Sequence, residues 1–352
     1  MYKSLVDEPT PRSFDQSTLH DAMVRRMYRR TLAEGQIRVP AVPGLTDEYA
    51  QLCSNICAIL GVPYTPEQSI QLKRVLEAEL AKAFKASQRS DILISFQLPF
   101  GTGLNYRVEA EWRTIEADYD NWVVTRPPPL FGTEPDARVL ALACEAADPT
   151  AHRVLDIGAG TGRNALALAR SGHPVDAVEM TPKFADIMRA EVESESLGVR
   201  VIQSDVFTAV EGVREEYQLM VLSEVVPDFR TTQELRGVFE LATDVLDRGG
   251  HLVFNTFLAR PGYTPDSTAV ELGQQCNTMI FTRDEVSRAA ADLPLELIAD
   301  DSAYDYEKAH LPEGAWPPTG WFEGWSSGLD VFDVGREESP IELRWLVYRK
   351  SG

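Results

Sequence analysis

The sequence has 352 residues, 44% of them hydrophobic, which is enough for one large buried core or two modest ones. Its 54 acidic and 34 basic residues give a formal net charge of −20, which repels nucleic acids and anionic lipid surfaces. The composition therefore favours a small-molecule substrate over nucleic acid or membrane partners. It leaves the oligomeric state open.

Targeting and cysteine signals are weak. The amino-terminal stretch MYKSLVDEPTPRSFD lacks the basic-then-apolar pattern of a secretory signal, which predicts a cytoplasmic protein. Four cysteines do not make a disulfide scaffold in a chain of this size. Cys53 and Cys57 lie one helical turn apart, as in a metal or redox pair, but paired metal half-sites normally need a second cluster.

Residues 1–147 differ in pattern from the rest and are predicted to form a helical and hairpin region that binds substrate and serves as a lid. Helical periodicity covers 16–34 and 65–89, and Thr65 has the character of a helix cap. The segment 91–115, DILISFQLPFGTGLNYRVEAEWRTI, is typical of two strands around a glycine-containing turn. The basic cluster in DAMVRRMYRR is interpreted as a solvated helix face.

Three consecutive prolines interrupt the segment 119–139, YDNWVVTRPPPLFGTEPDARV. Proline cannot continue a helix, so this segment is predicted to be a stiff, extended connector. A helix is expected next, at 135–147.

From residue 148 onward, apolar strands alternate with amphipathic helices. The predicted strands are RVLDIG, PVDAVEM, VRVIQSD, YQLMVLSEVV, GGHLVFNTFL, LELIADD and IELRWLVYRK. Helices are expected at 161–172, 182–196, 231–247 and 282–291. This alternation predicts an α/β fold, a doubly wound and mostly parallel seven-stranded sheet that binds ligands at the carboxyl ends of its strands.

A glycine cluster follows the first of these strands. Gly158, Gly160 and Gly162 give the spacing G-x-G-x-G, whereas the nicotinamide fingerprint is G-x-G-x-x-G, so the spacing disfavours NAD. Asp156 precedes the cluster, and Glu179 ends the next strand, where an acid accepts hydrogen bonds from ribose hydroxyls. The pattern predicts a nucleoside-bearing ligand.

VLDIGAGTGR, Glu179, QSDVF around Asp205 and LSEVV around Glu224 together resemble the class I S-adenosylmethionine-dependent methyltransferases. The resemblance covers about 150–300 and the last strand. It implies a Rossmann-like methyltransferase core in which IELRWLVYRK is inserted antiparallel to the other strands. It also implies S-adenosyl-L-methionine as the cofactor and in-line methyl transfer as the reaction.

The resemblance assigns Asp156 and the glycine turn to the amino-acid end of the cofactor, Glu179 to its ribose, and Asp205 to its adenine. The full set of cofactor-binding candidates in the core is Asp156, Gly158, Ala159, Gly160, Glu179, Met180, Asp205, Val206 and Ser223. Tyr119 and Arg126 of the connector are candidates for covering the cofactor or holding its carboxylate. Asp205 has an alternative interpretation as a helix cap.

Two residues are candidates for the chemistry itself. Glu224 follows the fourth strand of the core and is expected near the transferable methyl group, as a general base or a substrate-orienting group. Alternatively, it contacts the cofactor indirectly or caps the turn at Pro227. His310 is the histidine best placed for proton removal, although an isolated loop histidine is usually a bystander. Neither a zinc motif nor the acid-plus-Asn pair of metal-dependent relatives is visible, so no metal is expected.

An aromatic, acidic insertion at about 302–340 separates the last two predicted strands. Loops of this length are usually functional or disordered, and its aromatic residues argue against disorder. Tyr304, Trp316 and Trp321 of the insertion, with Trp122 of the connector, are predicted to bind the substrate, and the alternative is that they pack as ordinary core. An aromatic loop with nine acids against Lys308 and Arg336 over 301–340 suits an apolar or cationic acceptor.

The leading functional hypothesis is methyl transfer to oxygen or nitrogen of a small molecule, such as a secondary metabolite. The alternative is C-methylation of an apolar, isoprenoid-like acceptor, and a diphosphate acceptor would require converging arginines. Two other classes stay open: a non-catalytic nucleoside-binding module and a dehydrogenase.

Overall fold

The computed structural model describes residues 15–28, 33–59, 63–98, 105–112, 114–125, 128–207, 213–214 and 216–351. The amino-terminal part contains helices α1 (Gln16–Tyr28), α2 (Thr46–Ile59) and α3 (Pro66–Ala86) and strands β1 (Ala33–Pro40), β2 (Asp91–Leu98) and β3 (Asn105–Glu111). The three strands form an antiparallel sheet in the order β1-β2-β3.

Helix α3 covers this small sheet. Its buried residues Leu72, Leu76 and Leu80 recur every fourth position, so they share one face, which packs with Ile92 and Ile94 of β2. Thr65 caps α3 as predicted, and Gln68 completes the capping box.

Two predictions for the first 147 residues were wrong. The helix expected over 16–34 ends at Tyr28, and 33–40 is strand β1, whose pairing with β2 outweighs the local helical pattern. Part of the connector is helix α4 (Ile115–Thr125), not extended chain. The prolines begin only after α4, and a helix commonly ends shortly before a proline, so they end this helix rather than prevent it.

The larger sheet contains strands β4 (Val154–Ile157), β5 (Val175–Glu179), β6 (Val199–Gln203), β7 (Tyr217–Leu222), β8 (Leu246–Ala259), β9 (Ile280–Phe281), β10 (Leu295–Ser302) and β11 (Ile341–Lys350). Its order is β10-β11-β8-β7-β4-β5-β6, and β9 pairs with β8. Strands β4 to β8 run parallel, and β11 is antiparallel to both of its neighbours. The predicted doubly wound α/β fold with an antiparallel last strand is confirmed; the short β9 was not predicted.

Helices cover both faces of this sheet: α5 (Ala137–Ala143), α6 (Arg163–Arg170), α7 (Pro182–Glu195), α8 (Thr232–Val245), α9 (Ser267–Gln275), α10 (Arg283–Ala290), α11 (Ala303–His310) and α12 (Phe322–Ser326). Helices α11 and α12 belong to the aromatic insertion. Helix α5 packs into the same core cluster as β4 and α6, although it precedes the predicted domain boundary at 147/148, which stays a prediction. In the ranges that the structure describes, no helix combines the length and apolarity needed to cross a membrane.

Candidate active site

The glycine turn connects β4 to α6 and lies at the carboxyl end of the parallel strands. The backbone N–H groups of Gly158 and Ala159 both donate to the carbonyl oxygen of Val178 on β5, at 2.8 and 3.0 Å. Gly158 has φ +69°, and a Cβ built on it would lie 2.3 Å from Cγ2 of Val225. Glycine is therefore required here for both backbone conformation and space.

Substituting Gly158 by alanine is expected to destabilise the fold by about 1–2 kcal/mol through left-handed strain alone and to weaken S-adenosylhomocysteine binding by about tenfold or more. The added methyl group must also push Val225, which lines the same cavity. Thermal unfolding and titration calorimetry measure the two effects.

The matched control for that variant is Gly249→Ala. Gly249 has φ +83°, but nothing lies within 4 Å of the position that a Cβ would take on it. An alanine there would have the same backbone strain as at Gly158 but no clash with a neighbouring side chain. We expect this variant to lose stability and to keep its affinity for S-adenosylhomocysteine. Equal loss of affinity in both variants would contradict a specific role for the turn at Gly158.

Asp156 is the most unusual acid of the site. It is 2% exposed, and its Oδ2 atom has no hydrogen-bond partner among the described residues. Burial, together with the nearby carboxylate of Asp136, raises the pKa of Asp156 to about 7. A buried carboxylate oxygen without a partner is unfavourable in the free protein, so it is suited to a donor supplied by a ligand.

Glu179 ends β5 and faces the glycine turn. Its Oε2 accepts from the N–H of Gly160 at 2.8 Å, and its Oε1 accepts from the N–H of Thr181 at 2.6 Å. Burial raises the pKa of Glu179, and these backbone donors oppose the shift. Each carboxylate oxygen has more than one acceptor direction, so Glu179 can still accept from ribose hydroxyls.

Asp205 follows β6 and lines the cavity with Val206. Its Oδ1 accepts from the N–H of Phe207 at 2.8 Å, which fixes a turn, and the described residues 206 and 207 do not form a helix for Asp205 to cap. This role is compatible with binding a ligand, because an oxygen that fixes a turn can also accept a hydrogen bond from a ligand.

Glu224 belongs to a buried charge network that the sequence did not reveal. Nη2 of Arg163 donates to Oε1 of Glu224 at 2.8 Å and lies 3.1 Å from Asp136, whose Oδ2 also accepts from Ser223 Oγ at 2.6 Å. Burial raises the pKa of Glu224, although Arg163 opposes the shift. The N–H of Glu224 donates to Asn255 at 2.7 Å and its φ is +60°, so the backbone is held in an uncommon conformation.

Asp228 connects the amino-terminal region to the cavity lining. The hydroxyl of Tyr119 on α4 donates to Oδ2 of Asp228 at 2.8 Å, and Nη2 of Arg89 donates to Oδ1 at 2.7 Å. The ring of Trp122 packs edge-on against Tyr119 with centroids 5.2 Å apart. Arg126 lies outside the described residues. The amino-terminal region therefore reaches the site through Arg89, which sequence analysis missed.

A cavity of about 590 Å³ joins these groups. The sequence-predicted residues that line it are Tyr119, Trp122, Asp156, Gly158, Ala159, Gly160, Glu179, Met180, Asp205, Val206, Ser223, Glu224 and Trp321. Arg163, Asp228, Asn277, Trp325 and Asp330 also line it and were not predicted.

Three predicted site residues do not reach the cavity lining. His310 is exposed at the end of α11, and its Nδ1 lies 2.7 Å from the carbonyl oxygen of Tyr306. Tyr304 donates to Glu323 at 2.7 Å and packs against Trp316 with ring centroids 4.8 Å apart. Tyr304 and Trp316 thus pack within the insertion, which was the alternative interpretation for these aromatic residues, and His310 lies at the surface.

Cys53 and Cys57 are buried free thiols on α2. Burial raises the pKa of Cys53 to about 11, which disfavours the reactive thiolate. Within the described ranges, no group of three or more His, Cys, Asp or Glu side chains is placed to hold a metal ion.

Comparison with known proteins gives a consistent result. Residues 154–250 match the family model described as a methyltransferase domain. A protein of Geobacillus sp. (strain WCH70) that is named as a methyltransferase is 27% identical over 105 residues, which are 30% of this chain and 42% of that protein. The ribosomal protein L11 methyltransferase of Desulfitobacterium hafniense (strain DSM 10664 / DCB-2) is 23% identical over 193 residues, 51% of this chain and 58% of that protein. The chain thus spans about half the length of these curated relatives.

Among solved structures, the geranyl diphosphate C-methyltransferase from Streptomyces coelicolor A3(2) is 16% identical, with a TM-score of 0.45. The match covers 61% of this chain and 80% of that one. This low level of similarity carries no information about the acceptor.

The strand order, the glycine turn and the acids at the strand ends define an α/β protein with a cavity at the carboxyl ends of its parallel strands. Residues 154–250 form a methyltransferase domain, and the cofactor of this domain is S-adenosylmethionine.

Proposed function

We propose that this protein transfers the methyl group of S-adenosylmethionine to an oxygen or nitrogen atom of a small-molecule acceptor. The observation that carries the proposal is the unpartnered Oδ2 of Asp156 beside a large cavity. An ammonium group, such as that of the cofactor, would supply the missing hydrogen bond with a favourable charge. Glu179, from the next strand, is placed to accept from a ribose.

When bound, S-adenosylmethionine supplies a methyl sulfonium for in-line attack by the acceptor. The chain's own contribution is to align the two reactants and to exclude water. Tyr119 and Trp122 of α4 cover one side of the cavity, and Trp321 and Trp325 of the insertion line it as well. Their aromatic surfaces favour an acceptor that is partly apolar.

Glu224 has two roles in this proposal. Its carboxylate fixes Arg163 at 2.8 Å, and its raised pKa brings it closer to the range in which a carboxylate can remove a proton from a hydroxyl or ammonium group. His310 has no part in the proposal because it lies outside the cavity lining.

The charges of the lining disfavour a diphosphate-bearing acceptor. Among the described residues that line the cavity, Arg163 is the single arginine, and it is already paired with Glu224 and Asp136. A diphosphate would meet an excess of carboxylates, which repel it. C-methylation of an isoprenoid diphosphate is therefore the less favoured reaction.

Binding and turnover can be tested separately. S-adenosylhomocysteine is expected to raise the Tm of the protein, whereas NAD at the same concentration is expected to leave it unchanged, because only a ligand that binds the native state stabilises it. Stabilisation by NAD alone would contradict the cofactor assignment and favour a dehydrogenase.

Turnover is measured by mass spectrometry of acceptor pools incubated with S-adenosylmethionine and the protein. The expected result is the gain of one methyl group on an acceptor together with formation of S-adenosylhomocysteine. Tight binding without any methylated product across amines, phenols, alcohols and carboxylic acids would favour a non-catalytic binding module.

A further inference from the structure

Arg89 lies in the turn between α3 and β2 of the amino-terminal region, and its side chain is 7% exposed. Its Nη2 donates to Oδ1 of Asp228 at 2.7 Å. Its Nη1 donates to the side-chain oxygen of Asn277 and, at 3.2 Å, to the carbonyl oxygen of Gln275. One buried guanidinium group thus binds two separate segments beside the larger sheet, the turn after β7 and the chain after α9.

These contacts continue from Arg89 into the cavity lining. Arg89 does not line the cavity itself, whereas Asp228 and Asn277 do. Oδ2 of Asp228 accepts from the hydroxyl of Tyr119 on α4 at 2.8 Å. The carbonyl oxygen of Asn277 accepts from the indole N–H of Trp325 at 3.0 Å. Arg89 is therefore connected, through one intermediate residue in each case, to α4 and to the insertion.

Tyr119 lies beside the part of the cavity that the strand ends form. Its ring packs against Phe184 of α7 with centroids 5.4 Å apart, and α7 directly follows the strand that ends at Glu179. Burial and the carboxylate of Asp228 raise the pKa of Tyr119 well above its ordinary value, so the hydroxyl keeps its proton and donates. The hydrogen bond to Asp228 thus holds α4 against the acids that are expected to bind the cofactor.

Asp228 needs a fixed position to hold α4 in this way. Other carboxylates line the same cavity and repel it, and Arg89 supplies the opposite charge from outside the lining. A guanidinium group presents its N–H donors in a rigid planar fork, so it can bind Asp228 and Asn277 at the same time. Lysine, with one compact ammonium group, does not reproduce this fork.

We propose that Arg89 is a positioning residue for the cofactor, which fixes Asp228 and thereby holds Tyr119 and α4 over the cofactor site. Arg89 touches neither the cofactor nor the acceptor and acts only through these two residues. The amino-terminal region, which lies outside the methyltransferase domain at 154–250, thus completes the cofactor site of that domain. The inference does not depend on which atom accepts the methyl group.

Arg89→Lys and Tyr119→Phe test this chain of contacts. Each is expected to weaken the binding of S-adenosylhomocysteine about fivefold, mainly through faster dissociation, because each loses a hydrogen bond that holds α4 in place. Since both variants break the same path, the double variant should bind no more than about twofold more weakly than the weaker single variant. Calorimetry measures the affinities, and stopped-flow displacement measures the dissociation rates.

Hydrogen exchange of the free protein separates positioning from a general structural role. In Arg89→Lys the amides of α4 should exchange about fivefold faster, whereas those of α3 and β2, the elements on either side of Arg89, should be unchanged. Tyr119→Phe should give the same pattern. Because it removes no charge, unchanged exchange of α4 in this variant overturns the proposal even if Arg89→Lys does not fold.

Arg38→Lys is the matched control, because Arg38 belongs to the same small sheet and pairs with Glu111 at the surface, with side chains 60% and 36% exposed. It should change neither S-adenosylhomocysteine binding nor the exchange of α4. Unchanged affinity in Arg89→Lys, effects that multiply in the double variant, or faster exchange in α3 and β2 alone each overturn the proposal. If the wild type does not bind S-adenosylhomocysteine, the cofactor assignment fails instead, and the exchange of α4 still decides whether Arg89 positions that helix.

Discussion

Substituting Asp156 by asparagine is expected to reduce the affinity for S-adenosylmethionine by about 100-fold or more while making the free protein more stable above pH 7. The carboxylate is buried, and its Oδ2 lacks a partner among the described residues, so ionisation is costly until a cationic ligand arrives. Asparagine keeps the size of the side chain and removes the charge. A site residue that opposes folding and supports binding should show this opposite pair of effects.

The raised pKa of Asp156 also predicts the direction in which stability changes with pH. Because the pKa of Asp156 rises from 3.8 to about 7 on folding, the native state holds a proton that the unfolded chain releases between these values. Wild-type stability should therefore fall as the pH rises from about 4 to about 7, and the full loss, on the order of a few kcal/mol, should persist above that window. Asp156→Asn lacks this loss, so the two proteins should differ most at pH 8 and least near pH 4.

Chemical denaturation across this pH range and calorimetric titration of S-adenosylmethionine at pH 8 make the two measurements. Asp186→Asn serves as a control, since its side chain is 73% exposed and pairs with the neighbouring Arg189 at the surface. That variant should change neither quantity appreciably. If Asp156→Asn is as unstable as the wild type at pH 8, or binds the cofactor equally well, the interpretation of Asp156 fails.

The sequence predicts the parts of this molecule that depend on local pattern. Strand β5 is buried along its whole length. Apart from Asp176 and the terminal Glu179 its residues are apolar, as is typical of a strand buried on both faces of a sheet. The glycine spacing at 158–162 and the acids at strand ends carry their information within a few residues. For this reason, the parallel core and the part of the cavity lined by the glycine turn and the strand-end acids could be predicted from the sequence.

The part of the cavity lined by α4 and by the insertion depends on contacts between distant residues. Arg89 and Asp228 form an ion pair although they are 139 residues apart in the sequence, and neither lies in a motif that predicts this pairing. Helix α4 forms just before a run of prolines. Because of these prolines, the whole segment 119–139 was predicted to be an extended connector. His310 has suitable chemistry, but the helical path of 303–310 directs it to the surface. Such contacts can be established only from the fold.

Asp136 can pair with Arg163 because a residue distant in the sequence, Glu307, caps helix α5 in its place. Asp136 occupies the N-cap position of α5, but its side chain makes no capping hydrogen bond. Glu307 on α11 caps the helix instead, accepting from the N–H groups of Ala137 at 2.7 Å and Arg138 at 3.2 Å. Asp136 is thereby free to pair with Arg163, and the insertion supports the charge arrangement of the cavity.

Substituting Arg163 by methionine is expected to cost about 3–5 kcal/mol of stability, because it leaves Asp136 and Glu224 buried without their cation. The side chains of Arg163 and Asp136 are 8% and 3% exposed, so water cannot replace the lost interaction well. Without Arg163 the pKa of Glu224, already raised by burial, should rise further. The destabilisation should therefore be largest near pH 8 and should shrink towards pH 5, as Glu224 takes up a proton.

Arg170→Met is the matched control, because Arg163 and Arg170 are the first and last residues of the same helix. Arg170 pairs with Glu195 at the surface, with side chains 48% and 36% exposed, and such pairs contribute about 1 kcal/mol or less. Urea denaturation of both variants at pH 5 and pH 8 measures the difference. Equal losses in the two variants, or a loss in Arg163→Met that does not change with pH, would show that Arg163 contributes by packing rather than by its charge.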